Sequence, residues 1–212
     1  MKAYAYRIHW LIQLLGLRKK IYRGDHKVRE TFRRHRKMGS STALDLGSGP
    51  APRNPFEARE IHGVDIRSYE SNNVTYADLS SGIIPFPSNT FDFISAYDVL
   101  EHIPRVISNN GKMIFPLVML MNEIFRVLKS DGIFFNIQPC YPFKESFQDP
   151  THVNIMTEDT MNLYFCEPAW ARIYGYEGSF SMMSEGWVGP KYYSFLKKIH
   201  NESIKNLDFV QK

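Results

Sequence analysis

The 212-residue sequence has only two cysteines, Cys140 and Cys166. Two thiols in a chain of this length allow at most one bridge and make no disulfide framework. A reducing cytoplasm is therefore expected, with Cys140 an inert thiol at a strand end. No run reaches the eighteen or so apolar residues that a membrane span needs. The stretch WLIQLLGL (10–17) is short, is followed by charges and has no small-residue cleavage site after it, so it does not read as a secretory signal. Internal repeats and low-complexity tracts are also lacking, which excludes a solenoid. Acids are scarce in one region: residues 1–37 hold twelve of the 26 Lys+Arg but only Asp25 and Glu30, a net +10, while the rest of the chain is −6. The overall +4 thus conceals a basic arm on a mildly acidic body.

Within that arm, Tyr4, Ile8, Leu11, Ile12, Leu14 and Leu15 recur largely at helical spacing, which predicts an amphipathic helix over 4–17. Residues 18–37 are polar and basic, and GSST (39–42) breaks the pattern. We divide the chain accordingly: 1–40 is a basic amphipathic helical extension and 41–212 a single body, long enough to bury a core unaided.

From residue 43 the rhythm changes. ALDLGSG is a short apolar run ending in Asp45 and glycines, a buried strand entering a tight turn. IHGVDI (61–66), VTYADL (74–79), FDFISAYD (91–98) and IFFNIQPC (133–140) read as further strands, and MLMNEIFRVLKSDG as a helix stopping at Asp131-Gly132. A loop, YPFKESFQDPTHVN, and a short helix, TEDTMNLYF, follow. The aromatic-rich WARIYGYEGSFSMM and KYYSFLKKI are expected to close the sheet as an antiparallel edge hairpin. Strands alternating with helical segments predict an α/β fold with a doubly wound, mostly parallel sheet. Ligands of such sheets sit at the carboxyl ends of the strands, where Asp45, Asp65, Asp78 and Asp98 fall.

A glycine turn after a strand lets backbone approach a ligand closely, but many loops contain GxG. Three features add to it. Asp65 ends the next strand about twenty residues on, where an acid can bind both ribose hydroxyls. Asp78-Leu79 ends the third strand, where an adenine edge is read. The turn also lacks the full GxGxxG of a pyrophosphate cradle, so an adenosine bearing an amino-acid tail fits better than a dinucleotide.

ALDLGSGPAP, HGVDI, YADL, PFPSNTFDFISAYDVLEHI and NEIFRVLKSDGIFF resemble, in order and spacing across residues 43–137, the successive motifs of class I S-adenosylmethionine-dependent methyltransferases of the small-molecule, type 11-like kind. DPTHVN…TEDTMNLYF is similar to bacterial members associated with glycans, hence an expected role in polysaccharide biosynthesis. The resemblance implies a Rossmann-like sheet and S-adenosylmethionine as cofactor. Asp45, Gly47, Ser48 and Gly49 would lie under its methionine part. Asp65 would hold the ribose hydroxyls and Asp78 and Leu79 the adenine, Ile66 would belong to the same cofactor site, and Tyr97 and Asp98 would flank the sulfonium. The usual third glycine is Ala51 here, and Pro50 removes an amide donor.

Methyl transfer to a hydroxyl needs the acceptor held near the methyl and its proton removed. His152, in the polar loop after the fifth strand with Asp149 to orient it, is the expected general base, and Asp98 lines the catalytic end. Asp98, Glu101 and His102 have spacing i, i+3, i+4, which on a helix puts all three on one face. With His152 they form a candidate divalent-metal set, similar to the acid-x-x-Glu-His run of metal-dependent O-methyltransferases of ubiquinone biosynthesis and small-RNA 2′-O-methylation, with Asp98 where those have Glu. The same charges also suit a helix start without any metal. The aromatics Tyr141, Phe143, Phe147, Tyr164 and Phe165 line either an acceptor pocket or the core.

Three readings therefore stand at this level: an O-methyltransferase acting on a small-molecule or glycan- or lipid-linked hydroxyl, a metal-assisted form of it, and a non-catalytic cofactor-binding protein anchored by its arm. The arm itself reads as a solvated extension or as a contact for an anionic membrane surface at the inner face, with nucleic acid disfavoured because no recognised nucleic-acid module is present.

Overall fold

The computed structural model describes residues 25–37, 39–70 and 73–199. The amphipathic segment expected over 4–17 lies outside them. Residues 25–34 are helical (α1). Nine strands follow: β1 (Thr42–Leu46), β2 (Glu60–Asp65), β3 (Val74–Tyr76), β4 (Phe91–Tyr97), β5 (Ile107–Asn109), β6 (Lys112–Ile114), β7 (Leu128–Pro139), β8 (Phe180–Val188) and β9 (Lys191–Lys198). The other helices are α2 (Pro116–Val127), α3 (Glu145–Gln148) and α4 (Thr160–Phe165).

Seven strands make one sheet in the order β3-β2-β1-β4-β7-β9-β8. The first five run parallel, and β9 and β8 add antiparallel at the edge. Chain direction across the sheet reverses between β1 and β4. The carboxyl ends of those two strands therefore mark the switch point, the usual ligand position in such sheets.

Period-two alternation explains how central strands bury both faces. In β4, Ile94 joins Leu44, Leu46 and Phe134 in one core cluster, which α2 covers with Leu120, Met121 and Ile124. Phe93 belongs to the opposite cluster, with Phe56, Phe135 and Phe195. There α1 inserts Phe32, edge-on to Phe56 and Phe135 at 4.8 Å and to Phe195 at 4.9 Å. This face is covered unusually, because residues 47–59 and 66–73 contain no α-helix among the described positions. Pro50, Pro52 and Pro55 account for the first gap, since each lacks a backbone N–H and restricts the residue before it.

Three local expectations change. The helix expected over 119–132 starts at Pro116, in the favoured first-turn position for proline, and ends at Val127. β7 begins at Leu128 and runs on through Asp131, which has a left-handed φ of 61° just before Gly132. WARIY is a 3₁₀ turn (Trp170–Tyr174), not a strand. Gly175 at φ 90° closes it, overriding the β preference of its aromatics. The start of a helix expected from residue 98 is a single 3₁₀ turn over Leu100–His102, and Asp98 precedes it in a left-handed conformation, φ 54°.

Candidate active site

The turn after β1 is built around Asp45. This carboxylate is fully buried, and both oxygens are used within the protein. Oδ1 accepts from the Ser95 hydroxyl at 2.7 Å and Oδ2 from the Arg53 backbone N–H at 2.8 Å. Burial raises its pKa, while those bonds and the Arg53 charge act against the rise. Asp45 thus sets the turn's shape. Removing its hydroxyl partner with Ser95→Ala is expected to cost about 1–3 kcal/mol, readable as a lower denaturation midpoint with unchanged slope.

Gly47 and Gly49 both have φ near +60°. A Cβ at Gly47 would lie 2.4 Å from Val99 Cγ2, so only glycine lets the turn press against the segment after β4. A Cβ at Gly49 would meet nothing within 4 Å, so the turn opens into space there. Ser48 donates its N–H to the Val64 carbonyl at 3.1 Å and its hydroxyl to the Gly49 carbonyl at 2.9 Å, tying the turn to β2. At the end of β2, Asp65 accepts from Gly49 N–H through Oδ2 and from Arg67 N–H through Oδ1, each at 2.9 Å.

These residues fit an adenosine with a charged tail. Asp65 keeps lone pairs for ribose hydroxyls beyond its two backbone donors. Ile66 beside it is 61% exposed, an apolar surface suited to a purine. Asp65 pairs in register with Tyr76 at the end of β3, which brings Asp78 and Leu79 to the same rim. Asp78 Oδ1 is occupied in capping a 3₁₀ turn, by Ser80 N–H at 2.9 Å and Ser80 Oγ at 2.6 Å, and Leu79 is buried.

At the end of β4, burial and the nearby Asp45 charge raise the pKa of Tyr97, and the Arg53 guanidinium carbon lies 4.7 Å from its ring centroid. Asp98 donates its N–H to the Ile137 carbonyl at 3.0 Å and pairs through Oδ2 with Lys191, while its buried Oδ1 has no partner. Lys191 was invisible to sequence reasoning: it stands 93 positions away and only the antiparallel edge brings it here.

Glu101, His102 and His152 come together. The loop after β7 is tied to the Leu100–His102 turn by Asn154 N–H to the Glu101 carbonyl at 2.9 Å and by Arg105 Nε to Asn154 Oδ1 at 3.0 Å. That places His152 Nε2 4.0 Å from Glu101 Oε1 and 3.9 Å from Asp149 Oδ2. His102 packs edge-on against His152 at 4.9 Å and hydrogen-bonds Thr151 Oγ1 through Nδ1 at 3.0 Å. Donor atoms of Glu101, His102 and His152 all lie within 4.8 Å of one another, and Asp98 is not in this group. Glu101 is 1% exposed, and neither carboxyl oxygen has a hydrogen-bond partner. Burial pushes its carboxyl up to about 8; the Asp98 and Asp149 charges add to this, and its own backbone N–H and Lys191 oppose it. Hydrogen bonds from Thr151 hold Asp149 below its ordinary range, so it is ionised at neutral pH. Of the aromatics considered for the acceptor, Tyr141 and Phe147 stand exposed on the His152 loop. Phe165 is core, Phe143 packs on Trp187, and Tyr164 meets Trp170 edge-on.

Residues 44–136 match the family model described as a methyltransferase domain. No curated protein matches the sequence. Among solved structures, an S-adenosylmethionine-dependent methyltransferase from Aquifex aeolicus is 15% identical, with 81% of this chain and 89% of that chain covered at a TM-score of 0.53. The PH0226 protein from Pyrococcus horikoshii is 19% identical, with 84% and 91% covered at 0.53. The [4+2]-cyclase SpnF is 15% identical, with 82% and 80% covered at 0.53. Likenesses this distant establish the fold alone, and the cyclase illustrates that one fold hosts several chemistries. The match to a methyltransferase domain thus lies over the strands and the turn that build the site.

Proposed function

We propose that this domain methylates the oxygen of a small-molecule or glycan- or lipid-linked hydroxyl, with His152 as general base. The observation that carries this reading is the placement of His152 against Glu101 and Asp149 at the end of β4. When bound, the cofactor supplies an electrophilic methyl on a sulfonium. Everything else falls to the chain's own groups. Asp65, Ile66, Asp78 and Leu79 receive the nucleoside, and the Asp45–Gly49 turn and Tyr97 receive the tail. His152 takes the hydroxyl proton as the oxygen attacks, and Asp149, ionised and 3.9 Å away, stabilises the imidazolium that results. Exposed Tyr141 and Phe147 offer flat faces suited to a sugar or aromatic acceptor.

The Glu101–His102–His152 cluster favours a second reading, in which these residues hold a divalent ion. A carboxylate with two imidazoles suits a borderline metal, and a bound cation would lower the pKa of an acceptor hydroxyl. The two forms separate in one experiment: turnover against a panel of hydroxyl acceptors, run before and after stripping divalent ions. Activity that survives stripping supports the metal-free base, and activity restored only by added ion supports the metal. Cofactor binding with no turnover on any acceptor would favour a binding protein and contradict both.

For residues 1–37, the +10 charge and the apolar spacing over 4–17 support contact with an anionic membrane surface, with the chain otherwise in the cytoplasm. No described helix is long and apolar enough to cross a membrane. Co-sedimentation with anionic vesicles, weakening with added salt and absent with neutral vesicles, is the expected result.

A further inference from the structure

The turn after β1 is poor in the means by which such turns usually hold an anion. Pro50 and Pro52 remove two backbone N–H donors, and no α-helix begins between β1 and β2 to offer a positive N-terminus. The cofactor's amino-acid tail nevertheless carries a carboxylate to this region. One cation stands ready. Arg53 follows the turn directly, and its backbone N–H is bound by buried Asp45, which fixes where its side chain leaves the chain. Its guanidinium lies over the Tyr97 ring, 4.7 Å from the centroid, so it is held at the end of β4. The residue is exposed, and its charge is felt by the buried Asp45 carboxylate at the base of the turn. Most other described arginines near acids are engaged: Arg34 with Glu30, Arg126 with Glu123 and Arg172 with Glu167. Arg53 thus presents a planar set of donors that matches a carboxylate.

We propose that Arg53, parked over Tyr97 and anchored through Asp45, binds the carboxylate of the cofactor's methionine tail, replacing the helix N-terminus that this chain lacks. The proposal rests on the assigned cofactor and adds the residue that reads its tail. Two ligands isolate the interaction. S-adenosylhomocysteine carries the amino-acid tail, and 5′-methylthioadenosine has the same nucleoside without it.

Calorimetric titration of the full chain tests this. Arg53→Ala is expected to weaken S-adenosylhomocysteine at least about tenfold, as befits loss of a charged hydrogen bond, and to leave 5′-methylthioadenosine unchanged. Arg53→Lys should recover part of the loss. Arg59→Ala, which removes a charge at the opposite end of β2, should affect the two ligands alike. Unchanged S-adenosylhomocysteine affinity in Arg53→Ala, or equal losses for both ligands, would overturn the proposal. The titrated variant, Arg53→Ala or in its place Arg53→Gln, is the one whose thermal melt matches the wild type's, so that equal losses report on the site and not on a folding defect. Wild-type protein binding neither ligand would instead refute the cofactor assignment, and the proposal with it.

Discussion

Replacing His152 with alanine is expected to cut methyl transfer at least about a hundredfold, the contribution of a positioned base, while S-adenosylhomocysteine affinity stays at the wild-type value. The two readouts separate because of where His152 sits. It belongs to the loop after β7, held to the Leu100–His102 turn by Asn154, whereas the proposed nucleoside side lies at the ends of β2 and β3. Its Nδ1 is buried and unpartnered, so no internal hydrogen bond depends on it. Asp149→Asn should reduce turnover less, since it removes the charge that stabilises the imidazolium but leaves the base. Steady-state kinetics with the best acceptor from the panel measures both. Turnover of His152→Ala near that of wild type would remove it from the chemistry.

Glu101→Gln is expected to change stability in a pH-dependent way. Glu101's folded-state pKa, about 8, lies above its ordinary 4.5, so the fold favours the protonated form. Its stabilising contribution is fully present below about 4.5 and is lost as pH rises through about 8. Above that, the wild type carries a buried carboxylate with no hydrogen bond, at a cost on the order of 5 kcal/mol. Glutamine cannot ionise. The variant should therefore melt near the wild type at pH 4.5 and above it at pH 9. Divalent ions sharpen the test. If Glu101, His102 and His152 hold a metal, excess Mg²⁺ or Mn²⁺ should raise the wild-type melting temperature at pH 8 and leave the glutamine variant unmoved. Parallel pH profiles for the two proteins would show that Glu101 is not the destabilised acid described above.

The parallel core was legible because its strands are short apolar runs ending in acids and glycines, a local signal that survives without tertiary context. The antiparallel edge was legible through KYYSFLKKI but not through WARIYGYEG, where Gly175 and the cap at Ala169 impose a turn on residues of strand preference. Asp65 and Asp78 fall at the strand ends where the alternating pattern puts them. Asp98 shows the limit. Its spacing from Glu101 and His102 suggested a shared helical face, but a left-handed backbone at residue 98 turns its carboxylate toward Lys191. The meeting of His152 with Glu101 depends on loop hydrogen bonds across fifty positions, and the engagement of Lys191 on the register of β9 against β7. Arg53 lacked any motif: it is singled out only by a ring beneath it and by the absence of a helix after β1.

The most direct test is the distance between the sulfur of bound S-adenosylhomocysteine and His152 Nε2 in a crystal structure of the complex. The account predicts the nucleoside along Asp65 and Asp78, with the sulfur facing His152 across a gap that takes the methyl and one acceptor oxygen in line, the oxygen about 3 Å from Nε2 and about 3 Å from the methyl carbon. A sulfur turned away from the His152 loop, or too distant for one oxygen to bridge, would contradict it.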